Sequence, residues 1–321
     1  MSPAIAGEDS RSTLLPPPTP QLDPLPKPDL PGEPAACRTP RGFWERLQYQ
    51  PSPACASIAR AWANLDVDSE RARLAIDQAL EEEPSLLAVW ELVAAWNLKY
   101  GKVAHSLLVS QWLLTQEERS RNPTALGEPI PGPMDPRRLM SAESALVGAR
   151  AARFSQEPEL AMVFYERTIR RMSSSFASNL RAQVFVEAGL TALQLGEPTS
   201  ALELFRLGES QRSFFFHALF SSLRRFVLAS TAEGLPCPAQ GGEGSQLDAL
   251  LQTYTKLQRR GAGASQVQTH QRLPALPPSD LQLIGAIGAH CQGRKAEAQR
   301  LYESYQGGLR RKEVLVGPSQ W

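Results

Sequence analysis

Residues 189–208 read Gly189-Leu-Thr-Ala-Leu-Gln-Leu-Gly196-Glu-Pro198-Thr-Ser-Ala201-Leu-Glu-Leu-Phe205-Arg-Leu-Gly208. Leu190 and Leu193, then Leu202 and Phe205, recur at helical spacing on either side of Gly196 and Pro198. Glycine permits the left-handed backbone of a tight turn, and a proline in the first turn of a helix sacrifices no hydrogen bond. The stretch therefore predicts two helices folded back on each other. Their backbones approach where Gly189 and Ala201 carry little or no side chain, and Phe205, one turn on, fills the remaining space.

The same spacing recurs along the chain. A turn residue is followed by a small residue five positions on, a large one four later, and a further residue three beyond. Gly293, Ala298, Tyr302 and Tyr305 repeat it, as do Gln156, Ala161, Tyr165 and Thr168. Val67, Ala72, Ile76 and Ala79 give a fourth case, and Gly101, Ser106, Ser110 and Leu113 a fifth, preceded by a helix with Trp90, Val93, Ala94 and Asn97. Ala286 takes the part of Gly189 in the last hairpin. The small-residue anchors Ala72 and Ser106 lie 34 apart, Ser106 and Ala161 55, Ala161 and Ala201 40, and Ala201 and Ala298 97. The wider gaps leave room for the Pro- and Gly-rich pieces at 122–136, 235–245 and 261–279, which read as loops or insertions. No run alternates apolar and polar residues long enough to predict a sheet.

This pattern resembles the tetratricopeptide repeat family over about 53–120, 142–215 and 279–312. The resemblance implies an all-α fold, a right-handed α-solenoid of antiparallel helix hairpins occupying 43–316, with a diverged hairpin and loops across 216–278. It also implies a non-enzymatic scaffold or adaptor that binds a peptide or protein segment in a concave groove lined by the first helices. The alternative is a structural subunit packed permanently in a larger assembly. That alternative expects the aromatic-rich stretch around Phe214, Phe215, Phe216, Phe220 and Phe226 to be exposed; a buried helix is the reading favoured here.

Composition narrows the function further. Apolar residues make up 42% of the chain, enough for a real core, and 34 basic residues against 33 acidic ones argue against a nucleic-acid partner. Residues 1–42 carry Pro16, Pro17, Pro18, Pro20, Pro24, Pro26, Pro28 and Pro31, and are expected to form a disordered tail. The start lacks a basic segment followed by an apolar run, so no secretory signal is expected, and no membrane insertion either. Cys37, Cys55, Cys237 and Cys291 show no metal-finger spacing, so lone thiols in a reducing, cytoplasmic setting are expected. The histidines are His105, His217, His270 and His290, with no acid/base or metal-ligand constellation around them. The expectation is no enzyme, no metal and no cofactor.

The candidate contact residues lie on first helices. In the repeat family, a subset that docks acidic chaperone tails uses Lys, Asn and Arg at set first-helix positions. Here Ser57, Ala61, Glu91, Leu92, Ala95, Val186 and Leu190 stand there, so that clamp is not expected. Arg150 and Arg153 lie three apart and share a helix face, bordered one turn earlier by Leu146. Such a patch suits an acidic, amphipathic partner segment. Glu91 and His290 complete the set. The register itself is testable: Ala201→Trp is expected to destabilise by about 1–3 kcal/mol or more through overpacking, and an unchanged melting temperature refutes the assigned crossing.

Overall fold

A computed structural model describes residues 52–65, 67–121, 140–172, 178–211, 214–229 and 276–315, with Cys37 and Gln252. Among them are eleven α-helices and no strand. They are α1 (Cys55–Asn64), α2 (Ser69–Glu82), α3 (Leu87–Lys99), α4 (Val103–Arg121), α5 (Ala142–Phe154), α6 (Pro158–Arg171), α7 (Ser178–Gln194), α8 (Pro198–Glu209), α9 (Phe214–Ala229), α10 (Pro278–Cys291) and α11 (Lys295–Leu315). The tail 1–42, apart from Cys37, and the loops at 122–136 and 235–245 lie outside the described residues. So do 246–260, apart from Gln252, and most of 261–279.

Short turns join α1 to α2, α3 to α4, α5 to α6, α7 to α8 and α10 to α11, and the two members of each pair pack together. From α1 to α9 every helix also meets the next in chain order, and α3 meets both α1 and α5.

Four of the five turns have one construction. Gly101, Gly196 and Gly293 have φ of 78°, 74° and 78°, and Gln156 has φ 63° in the same place. In each, the next residue's N–H reaches back to the carbonyl five residues earlier: Lys102 to Asn97 at 2.8 Å, and Glu157 to Ala152, Glu197 to Ala192 and Arg294 to Ala289 at 2.9 Å. This Schellman closure satisfies carbonyls that a helix end leaves without partners. The turn at Val67 is different. There Asp68 accepts from the N–H groups of Glu70 and Arg71, both at 3.1 Å, so a side-chain N-cap starts α2.

The second helices all start in the same register. The N–H of Ala72, Ser106, Ala161, Ala201 and Ala298 donates to the carbonyl of Asp68, Lys102, Glu157, Glu197 and Arg294 respectively. All five small residues are buried. Opposite them the first helices give way in turn. A Cβ on Gly189 would stand 2.3 Å from Cε1 of Phe205, and one on Gly148 would stand 2.8 Å from Cε1 of Phe164. Ser106 uses its closeness differently, donating its hydroxyl to the carbonyl of Ala94 at 2.8 Å. In α9, Phe216, Phe220 and Phe226 are buried, which agrees with a core helix.

The cysteine expectation needs correction, because Cys37 and Cys55 form a disulfide. Spacing could not reveal it, since the link joins the end of the Pro-rich segment to the first turn of α1. Disulfides persist mainly in oxidising compartments, so a cytoplasmic setting loses the support that lone thiols lent it. Among the described residues no helix is long and apolar enough to cross a membrane.

The helix crossings predict opposite outcomes for one type of substitution. Alanine is favoured over glycine within a helix by about 1 kcal/mol. At Gly189 the Phe205 ring overrides that gain, and Gly189→Ala should destabilise by about 1–3 kcal/mol. Gly307 is exposed and has open space around its Cα, so Gly307→Ala should stabilise by up to about 1 kcal/mol. Denaturant midpoints of the two variants check the pair.

Candidate functional site

The two arginines chosen from the sequence meet at the centre of a buried polar network. α5 supplies Arg150 and Arg153, α6 supplies Tyr165, α7 supplies Gln183, Glu187 and Gln194, and α10 supplies Asp280. Arg150 grips Glu187 with both arms of its guanidinium, Nε to Oε2 at 3.0 Å and one terminal nitrogen to Oε1 at 2.7 Å. The same terminal nitrogen donates to Gln183 at 3.2 Å. The Tyr165 hydroxyl donates to Glu187 at 2.9 Å. Arg153 pairs with Asp280, which lies 127 residues away in sequence, and Gln194 donates to the other Asp280 oxygen at 3.0 Å. Arg150, Arg153, Glu187 and Asp280 are all at most 4% exposed.

The placement of these charges follows from the packing. Two guanidinium groups face two carboxylates, so the buried charge is balanced and hydrogen-bonded, the condition under which ions survive in an interior. Burial opposes the charge on Arg153, but Asp280, Tyr165 and Glu187 together outweigh it and hold the group firmly protonated. Burial, reinforced by Glu187, raises the Tyr165 hydroxyl well above its usual range, so it stays a donor. Such a network fixes helices relative to one another. Among the described residues no group of three or more His, Cys, Asp or Glu side chains could hold a metal ion.

The arginine patch is therefore not presented to a partner, which corrects the surface reading. The spacing of three did place Arg150 and Arg153 together, but α7 and α10 cover that face. Leu146 is buried in the core cluster. Asp280, with Leu281, Leu283 and Ile284 after it, is itself an acidic residue among apolar ones, so the chain supplies internally the segment those arginines suit. Most of α3, α5 and α7 is buried likewise.

Glu91 is buried too. It accepts from the Ser141 N–H at 2.7 Å and from the Ser141 hydroxyl at 3.0 Å. Ser141 caps α5 by accepting from the Ser144 N–H at 3.0 Å. Glu91 thus holds the start of α5 against α3. Burial pushes its carboxyl up to about 7, against the lowering effect of the Ser141 hydrogen bonds. Of the sequence candidates, His290 alone is half-exposed, at the end of α10.

A further buried carboxylate, Glu117 on α4, escaped the sequence reading. It accepts from the Met140 N–H at 3.2 Å and from Arg171 at 2.8 Å, and Arg171 also donates to the Met140 carbonyl at 2.6 Å. This clasp pins the chain on both sides of 122–139.

The outward faces of the second helices hold the other feature. Counting from the buried small residue, the position two on is Leu74 in α2, Leu108 in α4 and Val163 in α6, exposed to 55%, 64% and 38%. Four further on, the same face carries Trp112 in α4 and Leu207 in α8, exposed to 41% and 38%. Arg167, on this face of α6, pairs with Glu118 of α4 at 2.8 Å, so the outer faces of α4 and α6 adjoin. No protein-family model matches the chain, and no curated protein matches it either.

Two outcomes test the buried groups. Asp280→Ala strands the Arg153 charge in the interior and should destabilise by about 3–5 kcal/mol, whereas the double change Arg153→Met with Asp280→Leu should cost much less. Equal losses in denaturant melts refute the pairing. The raised carboxyl of Glu91 stabilises the fold fully below the usual value of 4.5, and that contribution is lost as pH rises through about 7. Unfolding free energy should therefore fall between pH 5 and pH 8 by up to a few kcal/mol, each tenfold in proton affinity being worth about 1.4 kcal/mol. Glu91→Gln should flatten the profile.

Proposed function

We propose that this chain is a non-enzymatic protein-binding scaffold built from tetratricopeptide-like hairpins in a right-handed α-solenoid. Five second helices in one register, four turns closed alike, and first helices packed on their neighbours support the repeat reading. The observation that carries the function is the outer apolar face. Leu74, Leu108 and Val163 stand at one position of three successive second helices, and Trp112 and Leu207 four residues further on in two. Single exposed apolar residues are ordinary, but a repeated set in one register marks a surface kept for contact.

We place the contact surface there and not in a groove lined by first helices, because those helices are buried. The partner is a protein segment or surface with complementary apolar side chains. Of the aromatic residues the permanent-subunit alternative expects to be exposed, Phe216, Phe220 and Phe226 are buried, and the side chains of Phe214 and Phe215 lie outside the described residues.

Affinity capture from native lysate tests this reading. Leu74→Lys with Val163→Lys should reduce recovery of specific partners at least tenfold, about 1.4 kcal/mol of binding. The melting temperature should stay within a degree or two, since both side chains already face water. Recovery of the same proteins in the same amounts sinks the proposal.

A further inference from the structure

We propose that the Trp90–Trp112 ledge is a docking site for a polyproline segment, and that its occupant is this chain's own residues 24–31. The indoles of Trp90 and Trp112 meet with ring centroids 5.3 Å apart and planes tilted by 57°. Trp112 and its neighbour one turn earlier, Leu108, are exposed, while Trp90 is half-buried and fixed by its Nε1–H donating to the Pro84 carbonyl at 2.8 Å. Two tilted aromatic rings beside an aliphatic side chain are what a polyproline helix binds. That helix carries its shape into the complex, so docking costs it little entropy.

The occupant follows from where the chain is anchored. Cys37 is joined to Cys55 and packs against the core cluster there. Three residues before Cys55, Ser52 hydrogen-bonds Glu83. Pro84 follows Glu83 and receives the Trp90 indole, and Trp90 touches Trp112. A continuous path of direct contacts thus leads from the disulfide to the ledge. Residues 24–31, outside the described residues, read Pro24-Leu25-Pro26-Lys27-Pro28-Asp29-Leu30-Pro31. The nine residues from Pro28 to Cys37 reach about 28 Å as a polyproline helix. Lys27 has an acidic counterpart near the path, since Glu81 is exposed in the run that ends at Pro84. A tether this short holds the segment at millimolar effective concentration, of the order of 1 mM, so weak docking suffices.

In this inference the tail covers Leu108 and Trp112 in cis and leaves Leu74, Val163 and Leu207 as the exposed part of the outer face. A partner that needs Leu108 and Trp112 must displace the tail, while the Leu74 and Val163 test above reads residues the tail does not cover. The test uses the full chain labelled with 5-fluorotryptophan. The Trp112 fluorine resonance is identified by its loss in Trp112→Phe. Substituting Pro26→Ser, Pro28→Ser and Pro31→Ser should shift that resonance and raise its response to exchange of H2O for D2O. A synthetic peptide of residues 22–34 should restore it saturably in the substituted chain but leave the unsubstituted chain nearly unaffected. Reducing the disulfide with a dithiol should move the unsubstituted chain part of the way. A resonance indifferent to the proline substitutions overturns the proposal. So does equal response of both chains to the peptide, which assigns the ledge to proline-rich segments of other molecules. A shift that depends on protein concentration overturns it too, because the tail then docks on a second copy.

Discussion

The ring of Phe205 occupies the space that a side chain at residue 189 would need. Everything else about the helix pairing depends on such exclusions. A helix is about 10 Å across with its side chains, and two of them approach more closely only where one lacks a side chain. Gly189 with Phe205 and Gly148 with Phe164 fix the register of two of the crossings, because a side chain at either glycine would meet the ring. The turns then have a fixed length to span, and a left-handed residue closes four of them. Gln156 adopts that backbone without being glycine, at a cost of about 1–2 kcal/mol, which the buried crossing beside it offsets.

This logic explains what was legible in the sequence. Gly196, Gly293, Ala201 and Ala298 recur at spacings set by neighbours within a single hairpin, and local spacing is what a sequence displays. Gly101 and Gln156 were also found by register alone. Val67 fits the spacing, but Asp68 takes over the turn there by capping α2. Gly148 was hidden because its crossing is displaced by one residue within an alanine-rich helix.

The candidate site was less legible because its chemistry is long-range. Arg150 and Arg153 were correctly placed on one face, yet the residues that pair with them stand on other hairpins. Asp280 comes from beyond more than a hundred residues, and nothing near Arg153 announces it. One local signal did exist: Glu187 interrupts the apolar run from Val184 to Leu190, and a carboxylate there requires a buried partner. The same applies to Glu117, which sits between Gln116 and the exposed Glu118 in sequence and takes its character from Arg171 and Met140. The disulfide follows the same rule, since Cys37 meets Cys55 only through the path of the chain between them.

The Glu117 clasp has a consequence for how this chain tolerates change. Arg171 and Glu117 together hold Met140 close to the end of α4, so the segment between leaves and returns at nearly one point. Its length then has little effect on the hairpins on either side, because loop closure becomes costlier only slowly as a loop grows. That makes 122–139 the natural place to graft a foreign domain, a fluorescent reporter or a new pair of termini. An insertion in one of the short turns within a hairpin would push two crossing helices apart.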